Sequence, residues 1–127
     1  MQESSVAGFD ARIVAHAGVP VVAVTGEIDL HVVPEFRSVV SDPGARSAAG
    51  PGPVVLVDLA EVTFMDSSGV GVLIGQHREL EGEGGELRIV TGEGPALKIL
   101  KLTSLDEVFS IFSSREDAMH ELTGGGS

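Results

Sequence analysis

The stretch of this chain best equipped for chemistry is Asp66-Ser67-Ser68-Gly69. A carboxylate, two hydroxyls and a glycine follow directly on an apolar patch, Val62 to Met65. A helical pattern then begins at once, with Val70, Leu73, Ile74 and His77 at i, i+3, i+4 and i+7 on one face. The hydroxyls therefore stand where the chain leaves a sheet and enters a helix, where unpaired backbone N–H groups and the positive end of the helix dipole collect. Asp or Ser as a helix cap is worth about 1 kcal/mol, and one such side chain suffices. Three in a row exceed what capping requires. Gly71 and Gly75 each weaken the helix by about 0.8–1.0 kcal/mol relative to Ala. A helix that carries both predicts close backbone packing or close approach by another surface.

One use of a serine at a helix start is to accept a phosphoryl group. Phosphorylation adds about −1.5 to −2 charge and three strong acceptors. Helix amides and dipole tolerate that charge locally, so the fold survives while the exposed surface changes. A partner packed on the turn would meet an unpaired dianion beside Asp66. The result is a switch in binding rather than in folding.

Other chemistries find little support. The hydrolase elbow Gly-x-Ser-x-Gly is absent, as is a phosphate-cradling Gly-x-x-x-x-Gly-Lys-Ser/Thr loop. Gly92-x-Gly94 signals a turn. None of His16, His31, His77 and His120 stands in a metal-ligand spacing, and without cysteine there is no disulfide framework or thiolate metal site. His77, on the apolar face of its helix, is expected to be a partly buried structural residue. Asp29 with His31, two residues apart, offers a weak general-base pairing that Ser67 would have to join. The acid pairs Glu27/Asp29 and Glu79/Glu83 are ordinary on so acidic a chain. No catalytic residue, metal or resident cofactor is expected.

The elements that position the turn follow from periodicity. Residues 1–5 are polar and expected to be frayed. Val6 to Ala15 alternates as a half-buried strand, Ala17 to Pro20 turns, and Val21 to Thr25 returns as the second strand of an antiparallel hairpin. Val33, Phe36, Val39 and Val40 form the apolar face of a helix over about 31–42, with Pro34 in its first turn. Residues 41–53 predict a loop with nothing to pack. Val54 to Leu59 is a strand covered on both faces. After the central helix, Leu87 to Val90 is a strand. Pro95 opens a helix with Leu97, Leu100 and Lys101 on one side, and Val108 to Phe112 is the last strand. Ser114 with Asp117 starts a final helix to about Leu122. The strand–helix alternation predicts an α/β fold with a mixed, mostly parallel sheet.

With 127 residues, 43% of them hydrophobic, one domain with a real core is expected, over 6–122, with 123–127 loose. Eight Lys and Arg against 19 Asp and Glu give a formal charge of −11. This argues against nucleic-acid binding and against anionic membranes. No basic start with a long apolar run predicts a signal peptide or a span, and a cytoplasmic protein is expected.

The run Val57 to Leu73, centred on Phe64-Met65-Asp66-Ser67-Ser68-Gly69-Val70-Gly71, closely resembles the core motif of bacterial anti-sigma factor antagonists, the small STAS-domain proteins. Gly26-Glu27-Ile28-Asp29 is similar to a second family segment. Leu97 to Phe112 is similar to a third, with Ser104 where Gly is frequent. The resemblance implies a small mixed sheet with about four helices largely on one side. It implies a protein that captures an anti-sigma factor serine/threonine kinase, frees a sigma factor, and is released when that kinase phosphorylates it with its own ATP–Mg. A PP2C-type serine phosphatase would restore binding. By the motif, Ser67 is the phosphoacceptor, and Glu27, Asp29, Asp66, Ser68, Gly69 and Gly71 belong to the partner-facing surface. The long Gly/Pro-rich stretch at 41–53 and the high net charge depart from the family pattern without touching the acceptor motif. The competing readings are a STAS module of a lipid-transport or other signalling complex, and an enzyme built on Asp29, His31 and Ser67.

Overall fold

A computed structural model describes residues 3–49 and 51–122. Seven strands form one sheet in the order β1-β2-β3-β5-β6-β7, with β4 paired to β5. The strands are β1 (Glu3–Val6), β2 (Phe9–His16), β3 (Val19–Ile28), β4 (Arg46–Ala49), β5 (Gly52–Met65), β6 (Glu86–Val90) and β7 (Ser110–Phe112). Contacts β1/β2, β2/β3 and β4/β5 are antiparallel, and β3/β5, β5/β6 and β6/β7 are parallel. The helices are α1 (Val33–Val40), α2 (Ser67–Glu81), α3 (Pro95–Leu102) and α4 (Arg115–Ala118). This is the expected mixed α/β sheet.

The main core lies on one face, where Phe36 and Val39 of α1, Val70 and Leu73 of α2 and Ala96 and Leu100 of α3 meet Val22, Val55 and Val57 of the sheet. The other face carries a smaller cluster of Val19, Val21, Val54, Leu56 and Val90 under Ala118 of α4. Three helices thus share one side and the shortest covers the other. The β2–β3 hairpin turns on Ala17 and Gly18, whose φ angles of 50° and 82° are those that let a two-residue turn match strand twist.

The central strand is longer than its residue pattern suggests, and the reason is geometric. Leu59 and Ala60 together face Val24 of β3, and Thr63 faces no residue at all, because the register with β3 shifts twice. Each shift is a β-bulge, one extra residue in β5. A regular strand would keep every second residue inward. The core-facing residues of β5 are instead Val55, Val57, Leu59, Val62 and Met65. The last two steps are three residues long, one per bulge. The apparent break between two apolar patches is a single strand.

Several expectations are corrected. Residues 3–5 pair with β2 as β1 instead of fraying; residues 1–2 and 123–127 lie outside the described residues. The supposed loop at 41–53 holds a 3-10 turn, Pro43–Ala45, and strand β4. Ala45 and Ser47 are buried, and Arg46 grips Glu83 with two nitrogens at 2.9 Å each. That hydrogen-bonded guanidinium holds the Glu83 carboxyl below its usual range. A 3-10 turn, Leu30–Val32, precedes α1. The last strand starts at Ser110, leaving Val108 exposed. α4 stops at Ala118, although the Ser114 cap forms as expected, accepting from Asp117 N at 3.1 Å. In α3 the buried residues are Ala96 and Leu100; of the residues on Leu100's side, Leu97 is half-buried and Lys101 exposed.

Candidate functional site

Parallel strands β3 and β5 end side by side, with Ile28 opposite Met65. Each is followed by an aspartate in extended backbone: Asp29 at φ −130°, ψ −175° and Asp66 at φ −109°, ψ −175°. In this conformation a carboxylate reaches the amide two residues on. Asp29 Oδ1 accepts from His31 N at 2.9 Å, and Asp66 Oδ1 accepts from Ser68 N at 2.8 Å. Asp66 N donates to Ile28 O at 3.2 Å, which ties the two exits together. Two carboxylates thus cap two adjacent exits from one sheet end.

Ser67 is the first residue of α2 and is exposed. Asp66 performs the capping, and the Ser67 hydroxyl has no hydrogen-bond partner among the described residues. Capping therefore does not explain Ser67. Ser68 is half-buried and contributes its backbone N–H to the cap. Gly69 is buried against the sheet end: a Cβ there would lie 2.7 Å from Ile28 Cγ2 and 3.3 Å from Met65 Cγ. Only a residue without a side chain lets the start of α2 sit this low on β3 and β5.

Gly71 and Gly75 behave differently. A Cβ at either would meet nothing within 4 Å, so close packing inside the chain is not their reason. Both line a groove of about 580 Å³ between α1 and α2, with Arg37, Val72, Gln76 and Glu79.

The paired end of β3 and β5, two residues before Ser67, combines acid and hydrocarbon. Glu27 and Asp29 line a concavity of about 400 Å³ together with Gly8 and His31. Leu30 is 70% exposed and Phe64, the register partner of Glu27, is 45% exposed. The residue pattern did not single out these two apolar side chains. Phe64 belongs to an apolar patch that looks like core, and the bulge at Thr63 turns it outward. The three-residue spacing of Val62 and Met65 is the signal that could have revealed it.

Asp29 and His31 meet, with His31 Nδ1 3.6 Å from Asp29 Oδ1, but Ser67 does not line their concavity. His77 is structural as expected: it is buried, its Nδ1 accepts from Leu87 N at 3.1 Å, and its ring packs edge-on to Phe109 at 5.2 Å. Among the described residues no group of three or more His, Asp or Glu is placed to hold a metal ion, and no helix is long and apolar enough to cross a membrane.

A mixed sheet with three helices on one face, and two aspartate-capped exits side by side at one sheet end, defines a small α/β domain. The family model of the STAS domain matches residues 10–118, and the chain belongs to that family. An "Anti-sigma F factor antagonist" of Paenibacillus polymyxa is 28% identical over 107 residues, covering 84% of this chain and 89% of the relative. An "Anti-sigma-B factor antagonist" of Bacillus subtilis is 26% identical over 95 residues, covering 75% and 83%. The crystal structure of an anti-sigma factor antagonist from Mycobacterium paratuberculosis is 27% identical, with a TM-score of 0.75, covering 92% of this chain and 96% of that one. The family fold expected from the motif is thus the one observed.

Proposed function

We propose that this chain is an anti-sigma factor antagonist whose grip on its partner is controlled by phosphorylation of Ser67. The partner is an anti-sigma factor that is also a serine/threonine kinase and brings its own ATP–Mg. Unphosphorylated, the antagonist captures the kinase in the cytoplasm and frees a sigma factor. Phosphorylated, it lets go, and a PP2C-type phosphatase resets it. The observation that carries this reading is the unengaged Ser67 hydroxyl beside a cap already filled by Asp66. Relatives named anti-sigma factor antagonists support the partner class.

The switch follows from the surface of the sheet end that carries the hydroxyl. Leu30 and Phe64 supply exposed apolar area that a partner can dehydrate favourably. Glu27, Asp29 and Asp66 flank it with negative charge. A phosphate on Ser67 adds a dianion to this acidic end, and burying it without a cationic partner is costly. Ser68 and, a turn further on, Gly71 extend the contact surface along α2, while the buried Gly69 seats this turn on the sheet end. The protein acts by binding and catalyses nothing itself.

The test is retention on candidate anti-sigma kinases, before and after ATP–Mg is added, with the modified residue located by mass spectrometry. Retention lost on ATP addition, with one phosphate at Ser67, is expected. A phosphate confined to another residue overturns the assignment.

A further inference from the structure

Both lysines of the chain, Lys98 and Lys101, lie on α3. With Ala96 and Leu100 buried, the opposite face of the helix carries Leu97, Lys98, Lys101 and Leu102. Leu97 and Lys101 are one turn apart, as are Lys98 and Leu102, so cation and hydrocarbon alternate across a single patch. Leu102 is 76% exposed and Leu97 half-buried. Together with Glu93 and Gly94 the four line a shallow groove of about 410 Å³. Among the described residues neither ammonium forms an ion pair, a state shared with Arg37 and Arg78, whereas Arg12, Arg46, Arg88 and Arg115 are all paired. Periodicity places Leu97 and Lys101 on the same side of the helix as Leu100. In the fold Lys101 is exposed and Leu97 half-buried.

Two lysines against one carboxylate, Glu93, give this groove a local charge opposite in sign to the chain's formal −11. The surrounding charge repels nucleic acid and anionic lipid as bulk partners. A short acidic segment of a protein can reach the patch alone, placing carboxylates on the lysines and an apolar side chain between Leu97 and Leu102. We propose that the outer face of α3 is a docking surface for an acidic, leucine-bearing segment of a partner protein, separate from the Ser67 turn. This rests on charge and shape at α3 and stands whether or not Ser67 is a phosphoacceptor.

The test uses the full chain and a synthetic helical peptide with leucines at i and i+4 flanked by Asp and Glu, followed by amide NMR at low salt. Shifts are expected at residues 95–103 and not at 66–71, and they should shrink as salt rises. Lys98→Glu with Lys101→Glu should weaken binding about tenfold, a size set by two partly exposed charge pairs. Leu102→Ser should weaken it too, and a Gln-for-acid version of the peptide should bind as poorly as the lysine variant. These side chains face solvent, so the variants fold, and an unchanged amide spectrum without peptide verifies this. Shifts centred elsewhere, or unchanged affinity in the double lysine variant, overturn the proposal. Equal shifts at α3 from inorganic phosphate or from phosphatidylglycerol vesicles would assign the patch to small anions or lipid. Concentration-dependent self-association lost in the lysine variant would assign it to a second copy of the chain.

Discussion

The two exits from the paired ends of β3 and β5 start alike and finish differently. Each begins one residue past the Ile28/Met65 pair, with an extended aspartate accepting an amide two residues on. At Asp29 the chain makes a 3-10 turn of three residues, then α1. At Asp66 it enters a helix of 15 residues. A long helix aligns peptide dipoles and concentrates positive potential at its first turn; a single 3-10 turn does not. The residue after the cap follows suit: Leu30 in one case, an unengaged serine in the other. The same backbone device thus yields an apolar contact at one exit and a chargeable hydroxyl at the other.

The sharpest break of this contrast is at the hydroxyl. Ser67→Ala should keep the kinase bound and abolish phosphoryl transfer altogether. Adding Leu30→Ser to that variant should not restore transfer, because the second exit lacks the helix. Restored transfer, read as incorporated phosphate, would show that any capped exit serves. Next in size is the seat of α2. Gly69→Ala should cost about 1–3 kcal/mol in urea unfolding, since the new methyl would press on Ile28. The caps themselves come third. Asp66→Ala should cost about 1 kcal/mol, and Asp29→Ala less, because it releases only a three-residue turn; equal losses would erase the distinction between the exits. Smallest, and opposite in sign, Gly75→Ala should raise stability by about 0.8–1.0 kcal/mol, since open space surrounds it. A loss of stability there would mean that α2 packs more tightly than the geometry indicates.

The capped strand-to-helix turn was legible because Asp, Ser and Gly have narrow local roles and the apolar period changes at once beside them. The free state of the Ser67 hydroxyl was not, since any of three side chains could have been the cap. β4 was invisible: Arg46-Ser47-Ala48-Ala49 carries no alternation, and its anchor, Glu83, is 37 residues away in sequence. β1 was missed because Glu3-Ser4-Ser5-Val6 is an edge strand with little buried area and no apolar stripe. The outward turn of Phe64 depends on a bulge, a property of pairing with β3 and not of β5 alone. Ser104 shows the converse. Its φ of 59° is a backbone state that glycine adopts without cost, which gives a physical reason for glycine at this position in the family motif.

The central claim concerns one removable charge. Binding of the same purified anti-sigma kinase to the unmodified chain and to the chain stoichiometrically phosphorylated at Ser67, both measured by calorimetry, tests it most directly. Strong binding of the first and loss of binding by the second, with amide shifts confined to the turn, is the expected result. Equal affinity of the two forms would contradict it.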